Sequence, residues 1–91
     1  MRRVGQARKR DANEPAIVQA LQRIGARVQR VSEKGFCDLV VFHPTQGIVL
    51  VEVKTAKGKL TDAQVEHRRD GWPVCIVRNT AEALALFGIY Q

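Results

Sequence analysis

Residues 36–60 read FCDLVVFHPTQGIVLVEVKTAKGKL, and this stretch decides the fold. Two apolar runs rich in β-branched residues, 36–43 and 48–54, lie on either side of segment 44–47, which begins with proline and ends with glycine. Runs of this composition favour strands, and proline and glycine between them favour a turn. The sequence therefore predicts an antiparallel β-hairpin built from these two runs.

Three charged side chains interrupt the apolar strands of this hairpin: Asp38, Glu52 and Lys54. Pairing that is symmetric about Thr45 places Asp38 opposite Glu52, whereas a change of one residue in loop length places it opposite Val53. Two facing carboxylates repel each other, and partial burial adds a desolvation cost. A divalent cation such as Mg²⁺ between them would remove both costs, and Lys54 could then orient or activate a water molecule. The alternative is an ion triad in which Lys54 neutralises both acids.

Side chains alternate between the two faces of the hairpin along each strand, and the residues on each face are mostly apolar. A sheet that is apolar on both faces needs helices on both faces. The expected fold is α/β: a mixed central sheet of about four strands flanked by helices on both faces, in the order α-β-β-β-α-β-α. One face carries Val40, Phe42, Ile48 and Leu50, and the other carries Leu39, Val41, Val49, Val51 and Val53.

The elements on either side of the hairpin have recognisable start and stop signals. Asp11 or Asn13 can cap a first helix that ends at Gly25, and Thr61 to Gln64 forms a capping box for a second helix. Leu84 and Phe87 face inward on the last helix. The predicted bounds are a helix over 13–24, an edge strand over 26–31, a helix from residue 61 to 70, a strand over 74–78 and a helix that starts after Asn79.

The chain has 91 residues and a net charge of +6, which indicate one small domain with a polyanionic partner. We expect a basic flexible arm over residues 1–10 and a single domain over 11–91. No apolar run approaches the ~18 residues of a membrane span. The basic N-terminus lacks the apolar segment of a signal peptide, so a cytoplasmic protein is expected. Cys37 and Cys75 are expected to be buried, reduced thiols.

Basic side chains cluster in the N-terminal arm, before the hairpin and after it. The arm is either a solvated tail or a segment that contacts phosphates, and the loop 55–59 is either a solvated turn or a phosphate-binding loop. The candidate nucleic-acid-binding residues are Arg8, Lys9, Arg10, Lys34, Lys57 and Lys59.

Three ring side chains allow more than one interpretation. His43 and His67 are interpreted as surface histidines. Trp72, the only tryptophan, is interpreted as a core ring or a ring in a dimer contact. The alternative for Trp72 is a stacking surface for an unpaired base.

An ordered set of motifs resembles the VRR-NUC family of the PD-(D/E)XK nuclease superfamily, in its small stand-alone form from phages and bacteria. The resemblance covers about residues 11–88 and departs at Cys37, where the family usually has proline. The matching segments are DANE at 11–14, GFCDLVV at 35–41, VEVK at 51–54, GKLTDAQ at 58–64 and VCIVR at 74–78, followed by Ala83 and Leu84.

The resemblance implies a metal-dependent DNA endonuclease. Asp38, Glu52 and the Val53 carbonyl would hold Mg²⁺ or Mn²⁺, and Glu14 would assist them. Asp38, Glu52, Lys54 and Gln64 would form the catalytic set. From the residues alone, Glu14 is equally a favourable carboxylate in a first helical turn, and Gln64 is a cap partner.

Stand-alone members of this family resemble Holliday-junction resolvases, which implies branched DNA as substrate and a homodimer that makes two symmetric cuts. The resemblance implies no membrane partner and no small-molecule cofactor. The rival hypotheses are a non-catalytic nucleic-acid-binding module on a nuclease fold, a flap-directed or single-strand-directed nuclease, and a structural subunit of a larger assembly.

Overall fold

The computed structural model describes residues 11–33 and 35–90, which contain three helices and one four-stranded sheet. The order of elements is α-β-β-β-α-β-α, so the expected fold class is confirmed. The elements are α1 (Glu14–Arg23), β1 (Arg27–Arg30), β2 (Leu39–His43), β3 (Gly47–Val53), α2 (Asp62–Arg69), β4 (Val74–Val77) and α3 (Thr80–Ala85).

The sheet has the strand order β1-β2-β3-β4 and is mixed. β1 pairs with β2 and β2 with β3 in antiparallel fashion, whereas β4 lies parallel to β3 after a crossover through α2. In the hairpin, Phe42 lies opposite Ile48 and Val40 opposite Leu50, as the pairing symmetric about Thr45 predicts. The acids Asp38 and Glu52 are consequently brought to the same end of the hairpin.

Three of the strands are shorter than predicted, and β3 keeps its predicted length but begins and ends one residue earlier. β2 begins at Leu39 rather than at residue 36, and β3 ends at Val53 rather than at residue 54. The reason is local: the Asp38 carboxylate, rather than a backbone carbonyl, accepts the hydrogen bond from the Val53 N–H. β1 and β4 likewise lose terminal residues relative to the predicted 26–31 and 74–78.

The hydrophobic core lies between one face of the sheet and the pair of helices α1 and α3. Burial of the core side chains is the main favourable contribution to the free energy of folding. Phe87 and Leu84 face inward, as predicted. The sheet contributes Leu39, Val41, Val51, Val53 and Val77, and the helical side contributes Ile17, Val18, Leu21, Ala83 and Phe87.

The opposite face of the sheet is covered by α2 only near the acidic end of the hairpin. Helix α2 reaches this face through Gln64, whose side chain bonds to Glu52. Close to the turn, Phe42 is 43% exposed and Ile48 is 69% exposed. The second helical layer is therefore incomplete and leaves an apolar surface open near the hairpin turn.

The helix starts agree with the sequence except at α1. Thr61 and Gln64 form the predicted capping box, and the Asn79 side chain accepts a hydrogen bond from the Glu82 N–H. The expectation that a side chain caps α1 is wrong for Asn13, which makes no cap bond. The Asp11 carbonyl accepts from the Glu14 N–H instead, and the Asn13 amide is used elsewhere.

Within the described part of the chain, none of the helices is long and apolar enough to cross a bilayer.

Gly35 should be the glycine most sensitive to substitution. Its φ is +88°, and a Cβ placed on it would lie 2.8 Å from the Ala63 Cβ of α2. We expect Gly35→Ala to lower the free energy of unfolding by about 2–4 kcal/mol. The added methyl group would clash with Ala63, and alanine disfavours the left-handed backbone conformation of this position. Gly25→Ala, with φ +87° but open space around it, should cost only about 1 kcal/mol. Urea unfolding measures both, and equal losses would contradict the close approach of α2.

Candidate active site

Asp38 stands immediately before β2 and is almost completely buried, with 6% of its surface exposed. Its Oδ2 accepts a hydrogen bond of 2.8 Å from the Val53 N–H, and its own N–H donates to the Val51 carbonyl at 2.9 Å. The carboxylate is thus fixed against the last residues of β3. Buried carboxylates need such partners, because loss of solvation is otherwise too costly.

Glu52 is 3% exposed and lies on the same face of the sheet as Lys54. Its Oε2 accepts a hydrogen bond of 2.6 Å from the Gln64 Nε2 and lies 3.6 Å from the Lys54 Nζ. The Lys54 side chain is itself only 12% exposed. Because the site is shielded from solvent, this ion pair is screened less than one on the surface.

Gln64 is the cap partner that the sequence allowed, and its side chain also reaches Glu52. Its catalytic role stays a prediction. Its Oε1 accepts from the Thr61 N–H at 2.8 Å, which completes the capping box, while its Nε2 donates to Glu52. An amide has separate donor and acceptor ends, so one side chain can serve both. The start of α2 is therefore tied directly to the acidic pair.

Glu14, in the first turn of α1, is 2% exposed, and its Oε2 lies 3.1 Å from the Arg30 Nε. Among residues 11–33 and 35–90, no group of three or more histidine, cysteine, aspartate or glutamate side chains is placed to hold a metal ion. The structure thus brings Asp38, Glu52, Lys54 and Gln64 together, while Glu14 is paired with β1. Its assistance to the site stays a prediction.

The donor chemistry at the hairpin end fits a hard divalent cation. Asp38 and Glu52 offer buried carboxylate oxygens from two paired strands, and the Val53 carbonyl follows directly on Glu52. Mg²⁺ and Mn²⁺ prefer such oxygen donors and need few of them from the protein. Lys54 and Gln64 supply positive charge and a donor to the same carboxylate.

Asn13 braces the backbone beside the site through two hydrogen bonds from its side chain. It was not identified from the sequence as a site residue. Its Nδ2 donates to the Lys54 carbonyl at 3.0 Å and to the Arg78 carbonyl at 2.9 Å. One amide therefore joins the start of α1 to the residues that follow β3 and β4. Its buried Oδ1 has no hydrogen-bond partner among the described residues. The position before Glu14 indicated only a helix cap.

Arg78 is the second residue that the sequence analysis missed. Its Nη1 donates to the Thr55 carbonyl at 2.6 Å and to the Gly58 carbonyl at 2.9 Å. A guanidinium group can hold several acceptors in one plane, which a lysine cannot. Arg78 therefore shapes the loop that carries Lys57, which is exposed, and Lys59 at its end. A charged residue ending an apolar strand was the available signal.

Cys37 directly precedes Asp38 and has 1% of its surface exposed. Burial raises the pKa of the Cys37 thiol, and the nearby charges of Glu52 and Asp38 raise this pKa further. Cys37 is buried and reduced as expected, whereas Cys75 is only half-buried.

The remaining predicted residues are the two histidines and four of the candidate DNA contacts. His43 is half-buried and structural, because its Nε2 lies 2.9 Å from the Ile24 carbonyl and its Nδ1 lies 2.9 Å from the Thr45 Oγ1. The Nδ1 of His67 lies 3.0 Å from the Ala63 carbonyl within α2. The candidate DNA contacts Arg8, Lys9, Arg10 and Lys34 lie outside the described residues.

Comparison with known proteins gives the family of this chain. The sequence model of the VRR-NUC domain family matches residues 4–67 of the chain. The chain belongs to the VRR-NUC family. A solved structure titled VRR_NUC domain has the same fold, with a TM-score of 0.65 and 24% identity over 89% of this chain and 100% of that chain. No curated protein matches the chain. VRR-NUC domains are nuclease domains, so DNA is the implied substrate of this VRR-NUC chain.

The Asn13 brace can be tested by an isosteric exchange. Asn13→Asp replaces the donor that serves two carbonyls by a carboxylate oxygen, which repels them. We expect a loss of about 2–4 kcal/mol in the free energy of unfolding, because two buried acceptors lose their partner. Urea unfolding measures the loss. The exposed Gln22→Glu on the same helix adds an equal charge and should change stability by less than about 0.5 kcal/mol. Similar values for both variants would refute the brace.

The two thiols should react at different rates. Burial and a raised pKa keep the Cys37 thiol neutral, and only the thiolate is alkylated, so iodoacetamide near pH 8 should label Cys75 well before Cys37. Stability from the neutral Cys37 thiol is complete below the pKa of an unfolded cysteine and is lost as pH rises through the raised pKa. Peptide mass spectrometry measures the order of labelling, and urea should abolish the difference. Faster labelling of Cys37 in the folded protein would contradict this placement.

Proposed function

We propose that the chain is a metal-dependent endonuclease that hydrolyses DNA phosphodiester bonds with Mg²⁺ or Mn²⁺. The observation that carries the proposal is the buried pair Asp38 and Glu52 at one end of the hairpin, with Lys54 and Gln64 on the same Glu52 oxygen. Binding of DNA alone does not require buried carboxylates that would face a polyanion. Membership of a nuclease family supports the same conclusion.

Each residue of the site has a distinct part in this proposal. Asp38, Glu52 and the Val53 carbonyl would hold the cation, with Glu14 assisting. The cation would supply Lewis acidity that stabilises negative charge on the scissile phosphate. Gln64 keeps Glu52 oriented through its 2.6 Å hydrogen bond.

Lys54 has the most direct chemical role of the protein groups. Its ammonium group can donate to the attacking water or to a phosphoryl oxygen as charge develops there. The low exposure of its side chain strengthens that interaction, because little solvent competes. Its backbone is held at both ends of the peptide: the carbonyl accepts from Asn13, and the N–H donates to the Val77 carbonyl at 3.0 Å.

DNA is expected to bind through its phosphates. The net charge of +6 supports general attraction, and Lys57 and Lys59 follow the site on the loop that Arg78 holds. Arg8, Lys9, Arg10 and Lys34 extend the proposed contacts. Because phosphate contacts carry no sequence information, selectivity should be for the shape of the DNA rather than for its sequence.

We further propose branched DNA, such as a Holliday junction, as the preferred substrate and a homodimer as the active form. Two symmetric cuts require two sites related by symmetry. The open apolar surface at Phe42 and Ile48 is available to a second copy. The bacterial or phage-infected cytosol would supply both the DNA and the reduced cysteines.

The second candidate is a flap-directed or single-strand-directed nuclease. The half-exposed Trp72 favours it, because an exposed indole suits an unpaired base better than a duplex. A nuclease fold that only binds nucleic acid is the weaker rival, because it leaves the buried acids and Lys54 without a purpose.

The decisive experiment compares cleavage of a four-way junction and a matched linear duplex with Mg²⁺, with Mn²⁺ and with EDTA. Wild-type protein should make paired, metal-dependent nicks in the junction. Lys54→Ala should lower the cleavage rate by about 10²–10³-fold. Arg23→Ala, which removes an exposed cation at the far end of α1, is the control for charge and should cleave normally.

The outcomes separate the hypotheses. Junction-only nicking that is lost in Lys54→Ala supports a structure-selective nuclease. Cleavage of flaps or linear DNA keeps the nuclease and removes the junction preference. Binding without cleavage in every metal would refute the enzyme and leave the binding module.

A further inference from the structure

Trp72, in the turn between α2 and β4, keeps 49% of its surface exposed. Its ring lies 5.1 Å from the Phe36 ring at 76°, and the Phe36 ring lies 5.2 Å from the His67 ring. Trp72 is therefore not the core ring expected from the sequence. Phe36 packs against the indole, His67 packs against Phe36, and about half of the Trp72 surface stays open to a further stacking partner.

Hydrogen bonds fix the backbone of the turn that carries this indole. The Trp72 N–H donates to the His67 carbonyl at 3.3 Å, and the Trp72 carbonyl accepts from the Val74 N–H at 2.9 Å. The Arg68 Nη1 closes the turn with a 2.6 Å bond to the Val74 carbonyl. A ring that is already ordered costs less to use in binding than one that must be immobilised.

The supporting rings share a cleft with the candidate active site. Phe36 and His67 line an open cleft of about 230 Å³ whose wall also contains Glu52 and Gln64. Arg68 lines the same cleft, so a cation that can pair with a phosphate lies beside these rings.

The surroundings favour nucleic acid over a second copy of the chain. Trp72 follows the exposed, charged residues Glu66, Arg68, Arg69 and Asp70. The centres of protein–protein interfaces are depleted of charged side chains, whereas sites for single-stranded nucleic acid combine aromatic rings with cations.

We propose that Trp72, supported by Phe36 and His67, is a stacking site for one unpaired nucleobase of the DNA substrate. The proposal rests on the proposed function as a DNA nuclease and deepens it. A base stacked here lies beside the cleft that contains Glu52, so the substrate would have an unpaired or unstacked nucleotide close to the cut. Fully paired DNA would leave the indole unused.

Trp72 reports on its own contacts, because it is the only tryptophan of the chain. Its fluorescence should be measured during titration with a short oligothymidylate and with an abasic oligonucleotide of equal length and charge, in EDTA so that neither is cut. We expect strong quenching by the oligothymidylate and little quenching by the abasic strand at saturation, since only a base can stack on the indole.

Variants test the same contact without the fluorophore, through the anisotropy of labelled DNA. Trp72→Ala should weaken oligothymidylate binding about tenfold and affect the abasic strand much less. Trp72→Phe should restore most of the affinity, because it restores a stacking ring. Tyr90→Ala, which removes a 79% exposed aromatic side chain, is the matched control and should change neither affinity.

Equal quenching by the two strands would overturn the stacking site and leave the nuclease proposal intact. A change in Trp72 fluorescence with protein concentration alone would also overturn it, because that result assigns the indole to a contact between copies. Failure to bind either strand would overturn the stacking site together with DNA binding, on which the proposed function depends.

Discussion

The pairing register of β2 on β3 is the constraint on which the rest of the site depends. Because Val40 lies opposite Leu50, Asp38 reaches the end of the hairpin beside Glu52. A slip of one residue would turn one strand over, exposing core valines and separating the acids. Core burial and the chemistry of the site therefore select the same register. This agreement explains how a short turn at residues 44–46 can determine both.

Neutral amide donors bind both of the buried acids. Asp38 takes a backbone N–H, and Glu52 takes the Gln64 amide in addition to the Lys54 ammonium. Neutral donors fix a carboxylate while leaving much of its negative charge available to a cation. On the carbonyl side, the Asn13 amide holds the backbone of Lys54, and the Arg78 guanidinium holds the loop after it. The helices, strands and loop around the site are thus tied to one another by hydrogen bonds.

Incomplete cover of the second sheet face is the other main feature of the fold. Helix α2 is seated over the acidic end by the Gly35–Ala63 contact and by Gln64, and it leaves Phe42, Ile48 and Trp72 exposed. A small domain that leaves large apolar side chains in water loses part of the stabilisation that their burial would give. Under the functions proposed above, the exposed sheet face would contact a second copy, and the indole would contact DNA.

The element order could be predicted from the sequence, because alternation of apolar residues and turn chemistry act over short distances. The position of Asp38 opposite Glu52 followed only if the pairing was symmetric about Thr45, and the structure has that register. The capping box predicted Gln64 as a cap partner, but the sequence did not show that the same side chain bonds to Glu52. Four features of the site could be seen only in the folded chain. Asn13 joins two strand ends instead of capping α1, and Arg78 holds the loop after β3. Glu14 pairs with Arg30, and Trp72 lies half-exposed. These features depend on which distant segments meet. Asn13 is far in sequence from Lys54 and Arg78, so no local sequence pattern predicts that they meet. Such contacts are fixed by packing of the core.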